Sequence, residues 1–282
     1  MIFFLELLFN LDTNMALTVL ANLNHPLLER LKREAPGTMF HSITVATLAE
    51  DAARAIGANA LRAKVGALFH DIGKLRMPQY FTEKCTAPEA LVTAINGEKR
   101  ASAYRKQFRE RIKESRDALW EQYGDIAEMR ALIIHNHATC GLFLARKYRL
   151  YRYIHEVIST HHGNDLVPYF YCKEKERCRK AGDMTGPCEN EFRYSGTPPY
   201  QKELVIISLA DACEAATRSL SSPSPACIEK MVDDIIDRRM RGGLLSRSPM
   251  TFSEFAKVRK CLIKTLIGIR HGRISYSRGE KA

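Results

Sequence analysis

Histidine and aspartate residues recur in this chain where the apolar pattern is helical. In one early segment, apolar residues return at spacings of three and four, which predicts an amphipathic helix with His41 on its buried face. Asn59 is a favourable N-cap for the next helix, which delivers His70 and Asp71 to its C-terminal end, just before Gly73. Since no segment shows a convincing strand pattern, we predict an all-α fold.

Other segments extend the helical pattern along most of the chain. Thr38 is expected to cap the helix that holds His41, after a stop signal at Pro36-Gly37. Residues 163–200 are punctuated by glycine and proline and are expected to form a long loop. Further helices are predicted at residues 13–34 with a break at Pro26, 126–148, 152–162, 201–220, 224–241 and 252–271.

The composition is that of an ordinary globular protein with a basic surface. The 282 residues suffice for one large domain or two small ones, with 45% hydrophobic and 27% charged residues and a formal net charge of +11. That charge favours an anionic partner such as a nucleotide, a nucleic acid or a lipid surface. Residues 99–116 hold eight Lys or Arg and predict an exposed basic helix, either a solvated insertion or a patch that faces phosphates or a membrane.

The cysteines and the N-terminus indicate the cellular setting. None of the eight cysteines lies in a Cys-x-x-Cys pair, so free thiols in a reducing cytosol are expected. Residues 1–11 are apolar but too short to span a bilayer, and they lack the basic start and the cleavage site of a signal peptide. We therefore expect a cytoplasmic chain.

Seven imidazole and carboxylate side chains are candidates for a metal site. Asp211 lies in an apolar stretch, where a carboxylate is costly unless it is paired or bound to a cation. The set is too large for one ion with open positions and suits two metal ions with one bridging carboxylate. Nitrogen and oxygen donors without a thiolate argue against structural zinc and fit iron or manganese. The candidates are His41, His70, Asp71, His137, His161, His162 and Asp211.

This combination of a histidine, a later His-Asp pair and a distant aspartate resembles the signature of the HD superfamily of metal-dependent phosphohydrolases. It is similar above all to the cytoplasmic HD domain of the seven-transmembrane phosphodiesterases that degrade cyclic di-AMP. The resemblance covers nearly the whole chain and implies an HD-type helical bundle around a dinuclear metal site. It is carried by residues 22–31, 35–42, 56–59, 70–74, 161–163, 192–196, 209–216, 239–249 and 266–274.

The resemblance also implies which residues hold two divalent ions, with Asp71 as the bridge. His137 is preferred to His135 because Gly141 follows it by four residues, as in the family pattern. His25 and His155 are interpreted as structural. The first ion is assigned to His41, His70, Asp71 and Asp211, and the second to Asp71, His137, His161 and His162.

A domain organisation follows from the same resemblance. Residues 1–35 are expected to form an N-terminal helical linker, and residues 36–282 the HD domain, with a basic helical insertion at about 84–125. The loop at 173–190 is expected to be longer than usual for the family. Because residues 1–11 resemble the junction after the last membrane helix, we expect either a natural soluble relative or a domain at the cytoplasmic face of a membrane.

The implied activity is hydrolysis of a cyclic dinucleotide, with cyclic di-AMP opened to linear pApA by a metal-activated hydroxide. Asp71 then bridges the metals, and Lys74 supplies positive charge to the phosphate oxygens. Tyr169, Tyr171 and Arg193 are expected to stack on adenine or to hold the second phosphate. No stable nucleic-acid partner is expected.

Three rival functions stay open at the level of the sequence. The first is a ribonuclease or nucleotide phosphohydrolase on the same frame, which the basic insertion would suit. The second is a nucleotide sensor that binds without cutting, and the complete ligand set argues against it. The third is a basic adaptor at a membrane surface. A cyclic di-GMP enzyme is disfavoured because no Gly-Tyr-Pro element follows His161-His162.

Overall fold

The computed structural model of the protein describes residues 12–76, 126–183, 185–220 and 224–271, and at 126–136, 168–170, 173 and 271 it describes the backbone alone. Within these ranges the chain is helical, and β-structure is limited to one antiparallel bridge between Leu166 and Arg193, so the all-α prediction is confirmed. In the same ranges, two 3-10 helices cover Ile72–Arg76 and Glu189–Phe192. The α-helices are α1 Asn14–Leu20, α2 Pro26–Glu34, α3 Pro36–Ala55, α4 Ala60–Phe69, α5 Ile126–Lys147, α6 Arg152–Thr160, α7 Pro168–Ala181, α8 Lys202–Ser219, α9 Pro225–Arg241 and α10 Phe252–His271.

The central helix of the fold is α3, which packs against α2, α4, α8 and α10. Leu48, Ala49 and Ala52 on this helix are inaccessible to solvent. Alanine side chains at such contacts shorten the distance between helix axes, so the neighbouring helices lie close to α3. The α5 helix packs instead on α6 and on the first 3-10 helix. This packing brings helices that carry histidines or end next to one, among them α3, α4 and α5, close to one another.

The α4 helix begins at the predicted cap and ends at the predicted His-Asp pair. The side chain of Asn59 accepts a hydrogen bond from the amide of Arg62 at 2.9 Å. The amide of Asn59 donates in turn to Glu203 of α8, also at 2.9 Å. His70 is the C-cap residue, and Asp71 follows it directly. Both candidate ligands thus leave the helix where the backbone turns into the first 3-10 helix.

The α3 helix starts two residues earlier than the predicted cap. Pro36 is its first residue, and Thr38 lies inside the first turn instead of capping it. Proline suits this position because its missing N–H would have no partner there and its φ is already near the helical value. The residue before it, Ala35, has the φ of −141° that a following proline favours. Pro36 therefore starts this helix, and the non-helical φ that it favours at Ala35 also ends α2 at Glu34, as the stop signal predicted.

The prediction of a loop over residues 163–200 is wrong where α7 lies. This helix begins with a proline in its first turn and ends at Gly182, whose φ of 76° is in the left-handed region. Charged pairs three residues apart, such as Glu176 with Arg179, line its surface. Because residues 173–180 are mostly charged, the apolar pattern of the sequence did not indicate a helix.

Some predictions fall on parts of the chain outside the described residues. These are the basic helix at 99–116, the insertion at about 84–125 and the apolar segment 1–11. The leucines of α1 and α2, such as Leu17 and Leu28, belong to the same core as the rest of the helices. The boundary predicted at residue 35 stays a prediction. None of the helices in the described ranges has the length and apolar character that crossing a membrane requires.

Candidate metal centre

Five elements of the fold bring the seven candidate ligands to one place. All are buried except His162, which is half-buried. Since the residues come from distant parts of the sequence, their convergence is a property of the packing around α3. They are His41 on α3, His70 and Asp71 at the end of α4, His137 on α5, His161 and His162 after α6, and Asp211 on α8.

The side chains form two groups that could each hold a metal ion. The first cluster consists of His41, His70 and Asp211, and the second cluster of His137, His161 and His162. Within each cluster the possible ligand atoms lie within 4.8 Å of one another. Such a spacing fits donors that surround a common cation.

Asp71 lies between the two clusters and directs one oxygen at each. Its Oδ2 is 3.5 Å from His41 Nε2 and 3.4 Å from His70 Nε2. Its Oδ1 is 3.5 Å from His137 Nε2 and 3.9 Å from His161 Nε2. A carboxylate placed in this way can bridge two cations.

Backbone carbonyls orient two of the imidazoles. His70 Nδ1 donates to the carbonyl of Ala67 at 2.7 Å, and His161 Nδ1 donates to that of Ile158 at 2.9 Å. Each ring therefore directs Nε2 at the cluster, as in metal-binding histidines whose other nitrogen is held by a backbone group. The Nε2 of His70 and the Oδ1 of Asp71 are buried without a hydrogen-bond partner. Buried polar atoms are normally satisfied, so these two atoms fit a bound cation.

Burial and charge determine the protonation of these groups. Although burial opposes ionisation, Lys74 and His70 hold the pKa of Asp71 well below its usual range. Burial, together with His70 and His137, lowers the pKa of His161 to about 3. Carboxylate and neutral imidazole are the forms that bind metals. Burial would lower the pKa of His70, yet Asp71 and Asp211 raise it to about 10, so a cation would displace a proton from this ring.

Glu214 is a member of the site that the sequence analysis missed. Its carboxylate accepts a short hydrogen bond from His41 Nδ1, while His41 Nε2 lies 3.1 Å from Asp211 Oδ1. The available signal was its spacing, because residues three apart on a helix share a face, and Glu214 follows Asp211 by three on α8. A carboxylate on the outer nitrogen of a histidine orients the ring and increases its basicity.

Tyr194 is a second residue outside the predicted set of site residues, although it lies in the stretch 192–196 that carries the family resemblance. Its ring stacks on that of His162, with centroids 4.2 Å apart and an interplanar angle of 16°. It meets His137 edge-on at 6.1 Å. The ring therefore forms one wall of the second cluster. The predicted contact residue Arg193 is its neighbour in sequence, but nothing in the sequence distinguished the two.

The predicted substrate contacts lie in different surroundings. Lys74 places its ammonium group in close contact with Asp71 Oδ2, next to both clusters. Tyr171 packs its ring against Phe192, with centroids 5.8 Å apart. Arg193 donates to the carbonyl of Asn164 at 3.1 Å and to Glu189. The side chain of Tyr169 lies outside the described part of the structure.

A buried arginine supports the turn that carries the histidine doublet. Arg239 on α9 donates to the carbonyl and to the hydroxyl of Ser208, at 2.5 Å and 2.6 Å. Ser208 donates in turn to the carbonyl of His161. The Nε of Arg239 is 3.5 Å from the side-chain carboxylate of Asp165. The backbone carbonyl of Asp165 accepts a hydrogen bond from the amide of Tyr194. This network connects α8 and α9 to the second cluster.

Two glycines let the first 3-10 helix lie directly on α5. A Cβ on Gly73 would be 1.8 Å from the carbonyl oxygen of His137 and 2.6 Å from the amide of Gly141. A Cβ on Gly141 would be 2.8 Å from Ile158. Backbone contact at this point sets the distance between Asp71 and His137 and thus between the two clusters.

Sequence comparisons find relatives along the whole of this chain. A family model described as "HD domain" matches residues 38–122. Cyclic-di-AMP phosphodiesterase PgpH of Bacillus subtilis is 38% identical over 278 residues, which is 99% of this chain and 34% of that protein. PgpH of Listeria monocytogenes is 37% identical over 273 residues, which is 96% of this chain and 33% of that protein. The chain thus spans about a third of the length of these relatives.

Structural comparison finds the same fold. The crystal structure of the L. monocytogenes PgpH HD domain in complex with cyclic di-AMP has a TM-score of 0.70 and 33% sequence identity, and the match covers 88% of this chain and 99% of that one. A second crystal structure of that HD domain has a TM-score of 0.69 and 34% identity, with 88% and 100% covered.

Proposed function

Since this chain belongs to the HD-domain proteins related to PgpH, we propose that it is a metal-dependent phosphodiesterase that hydrolyses cyclic di-AMP to linear pApA. One observation carries the proposal: seven buried or half-buried nitrogen and oxygen donors meet at one place, divided into two clusters by Asp71. The match over 99% of an HD domain crystallised with cyclic di-AMP supports this choice of substrate.

The two His/Asp clusters suggest a metal site typical of HD domains. The proposed ligands of one divalent ion are the first cluster and Asp71, and those of the second ion are the second cluster and Asp71. Iron or manganese is proposed because the donors are imidazoles and carboxylates. Such a pair of cations supplies a water molecule of lowered pKa and positive charge for phosphate oxygens.

The proposed path of the substrate is the side of the centre that is open to solvent. Six of the seven candidate ligands are buried, whereas the side chain of His162 is 21% exposed. Lys74 is 19% exposed at the same centre, and Tyr194 stacks on His162. A phosphodiester that enters here would meet the ammonium group of Lys74, whose charge can stabilise negative charge developing on a phosphate oxygen.

Other substrate contacts stay predictions. Tyr171 lies in a small cluster with Phe192, next to the segment that carries Tyr194. Arg193 is 30% exposed and retains a side open to a phosphate, although it pairs with Glu189. We also propose that the domain acts at the cytoplasmic face of a membrane when it is part of a longer protein, because residues 1–11 resemble the junction after the last membrane helix of the family.

The test is to incubate manganese-loaded protein with cyclic di-AMP, cyclic di-GMP and short RNA and to separate the products. The variants are His70→Ala and Asp71→Ala. The matched control is His155→Gln, because His155 is a half-buried histidine outside both clusters. We expect pApA from the wild type and from the control, and none from the other two.

The possible outcomes separate the rival functions. Metal-loaded wild type that opens neither dinucleotide would contradict the proposal. Cleavage of RNA alone would select the ribonuclease, and binding of cyclic di-AMP for hours without turnover would select the sensor. Lipid binding that survives removal of the metal, without any hydrolysis, would select the membrane adaptor.

A further inference from the structure

We propose that Glu214 is a positioning residue that makes the first cluster the tighter of the two metal positions. Glu214 acts through His41, whose Nδ1 donates to its carboxylate. The inference rests on the proposed function insofar as that function requires metal at both clusters. It concerns metal binding itself and can be tested without any turnover.

The burial of Glu214 requires a partner, and His41 is the partner that the geometry provides. The residue is only 6% exposed. Arg218 is 3.9 Å away with a side chain that is 46% exposed, so it offers weak compensation. An ionised carboxylate in such a place is costly unless a strong hydrogen bond compensates it. A histidine that binds a cation through Nε2 provides that bond, because the cation makes its Nδ1–H a stronger donor.

Three histidines of the centre, His41, His70 and His161, differ in the partner of Nδ1. His70 and His161 donate there to neutral backbone carbonyls. His41 alone among these three donates to a carboxylate. Glu214 thus increases the basicity of the His41 ring, and through this ring its negative charge favours a cation at the first cluster. Among the described residues, no carboxylate contacts His161 Nδ1.

The carboxylates of the centre are also concentrated around the first cluster. That cluster contains Asp211 and is backed by Glu214, whereas the second consists of three imidazoles. Asp71 serves both, and Asp211 reaches His162 with its other oxygen at 3.6 Å. A divalent cation is attracted more strongly where more negative charge surrounds it. Both the charge and the ring orientation therefore favour tighter binding at the first cluster.

The experiment is a titration of metal-free protein with Mn²⁺ in which the electron paramagnetic resonance signal of the free aqueous ion is measured. Glu214→Gln keeps the shape of the side chain and a hydrogen-bond acceptor but removes the charge. Glu174→Gln is the matched control, because Glu174 is also buried but pairs with Arg177 on its own helix. Wild type is expected to bind two Mn²⁺ in separate steps.

We expect Glu214→Gln to weaken the tighter step by about 10- to 100-fold, the usual effect of losing such a partner. The weaker step and the control should remain at wild-type affinity. Glu214→Asp keeps the charge and should recover part of the loss, and it also serves if Glu214→Gln fails to fold by circular dichroism. Unchanged binding in Glu214→Gln, or an equal loss at both steps, would overturn the inference.

The two proposals can fail separately. If the tighter step weakens in Glu214→Gln while wild type leaves cyclic di-AMP intact, the inference about Glu214 stands and the proposed activity does not. If wild type hydrolyses cyclic di-AMP and Glu214→Gln binds Mn²⁺ normally, the activity stands and the role of Glu214 is refuted.

Discussion

Asp71 connects the two clusters more directly than any other described residue. Its Oδ2 faces the first cluster and its Oδ1 faces the second, at distances of 3.4–3.9 Å from four histidine nitrogens. Asp211, in contrast, belongs to the first cluster and touches only one residue of the second. The two aspartates should therefore differ in how many metal ions depend on them.

Replacement of Asp71 by asparagine should remove both ions, while Asp211→Asn should remove chiefly one. The amide is neutral and has only one oxygen, so it cannot bridge two cations. We expect metal content below one ion per chain for Asp71→Asn and about one for Asp211→Asn, with activity reduced by more than about 100-fold in both. Elemental analysis of dialysed protein gives the number of metal ions per chain.

Asp51→Asn is a suitable control, since Asp51 is a half-buried residue on the same α3 helix as His41 but contacts Arg54 and Thr265. It should retain full metal content. Equal metal content in Asp71→Asn and Asp211→Asn would contradict the bridging role.

The sequence predicted those parts of the centre that carry their own local signal. A His-Asp pair before a glycine, a His-His doublet at a helix end and an aspartate in an apolar stretch each stand out alone. The resemblance to the HD superfamily then assigned these residues to one metal centre. Glu214 and Tyr194 could not be found in this way, because what matters is their contact with His41 and His162, which are 173 and 32 positions away along the chain.

At the scale of helices, caps and apolar spacing were sufficient for most boundaries. The α10 helix covers Phe252–His271 as predicted, and α4 has its predicted cap at Asn59. The stop signal at Pro36 was right for α2, which ends at Glu34, but Pro36 also starts α3, so the predicted cap at Thr38 was wrong. The sequence analysis also failed at α7, because residues 173–180 of that helix are mostly charged and gave no apolar pattern to indicate it.

The contact between the first 3-10 helix and α5 leaves no room for a side chain at Gly73. In Gly73→Ala the new methyl group would collide with the backbone of His137, which cannot rotate away as a side chain can. We expect a loss of more than about 2 kcal/mol in the free energy of unfolding. The affinity of the second cluster for Mn²⁺ should also fall, because α5 carries His137 and would have to move. Urea denaturation and the Mn²⁺ titration measure the two effects.

Gly37 provides a matched control in α3. A Cβ there meets nothing within 4 Å, so Gly37→Ala should be neutral or stabilise the protein by up to about 1 kcal/mol. If Gly73→Ala were equally neutral, the close backbone contact would not hold the two clusters in register.

The α9 helix contributes to the centre through Arg239. Arg239→Met removes the hydrogen bonds to Ser208 and the ion pair with Asp165. Breaking a buried charged network of this kind costs about 3 kcal/mol or more. The exposed Arg241→Met variant, which loses only a surface pair, should cost less than about 0.5 kcal/mol. A similar midpoint of urea denaturation for both would show that the network does not stabilise the turn at His161.

For the whole molecule, the centre is a crosslink between five elements that are far apart in sequence. A cation held there binds the folded chain and has no comparable site in the unfolded one, so it stabilises the fold by mass action. At a free concentration of 100 times the Kd, each ion adds about 2.7 kcal/mol. For a chain of this size, 1 kcal/mol corresponds to about 2–4 °C in Tm.

Addition of saturating Mn²⁺ to the metal-free protein should therefore raise Tm by about 5–10 °C for each site filled to that level. Magnesium at the same concentration should have much less effect, because it prefers oxygen ligands and most donors here are imidazoles. Asp71→Asn separates this effect from nonspecific ion binding, since it alters the bridge and leaves the helices intact. A Tm of Asp71→Asn that rises with Mn²⁺ as far as that of the wild type would mean that the ions bind elsewhere on the surface. No rise in the wild type would mean that the two clusters do not hold manganese.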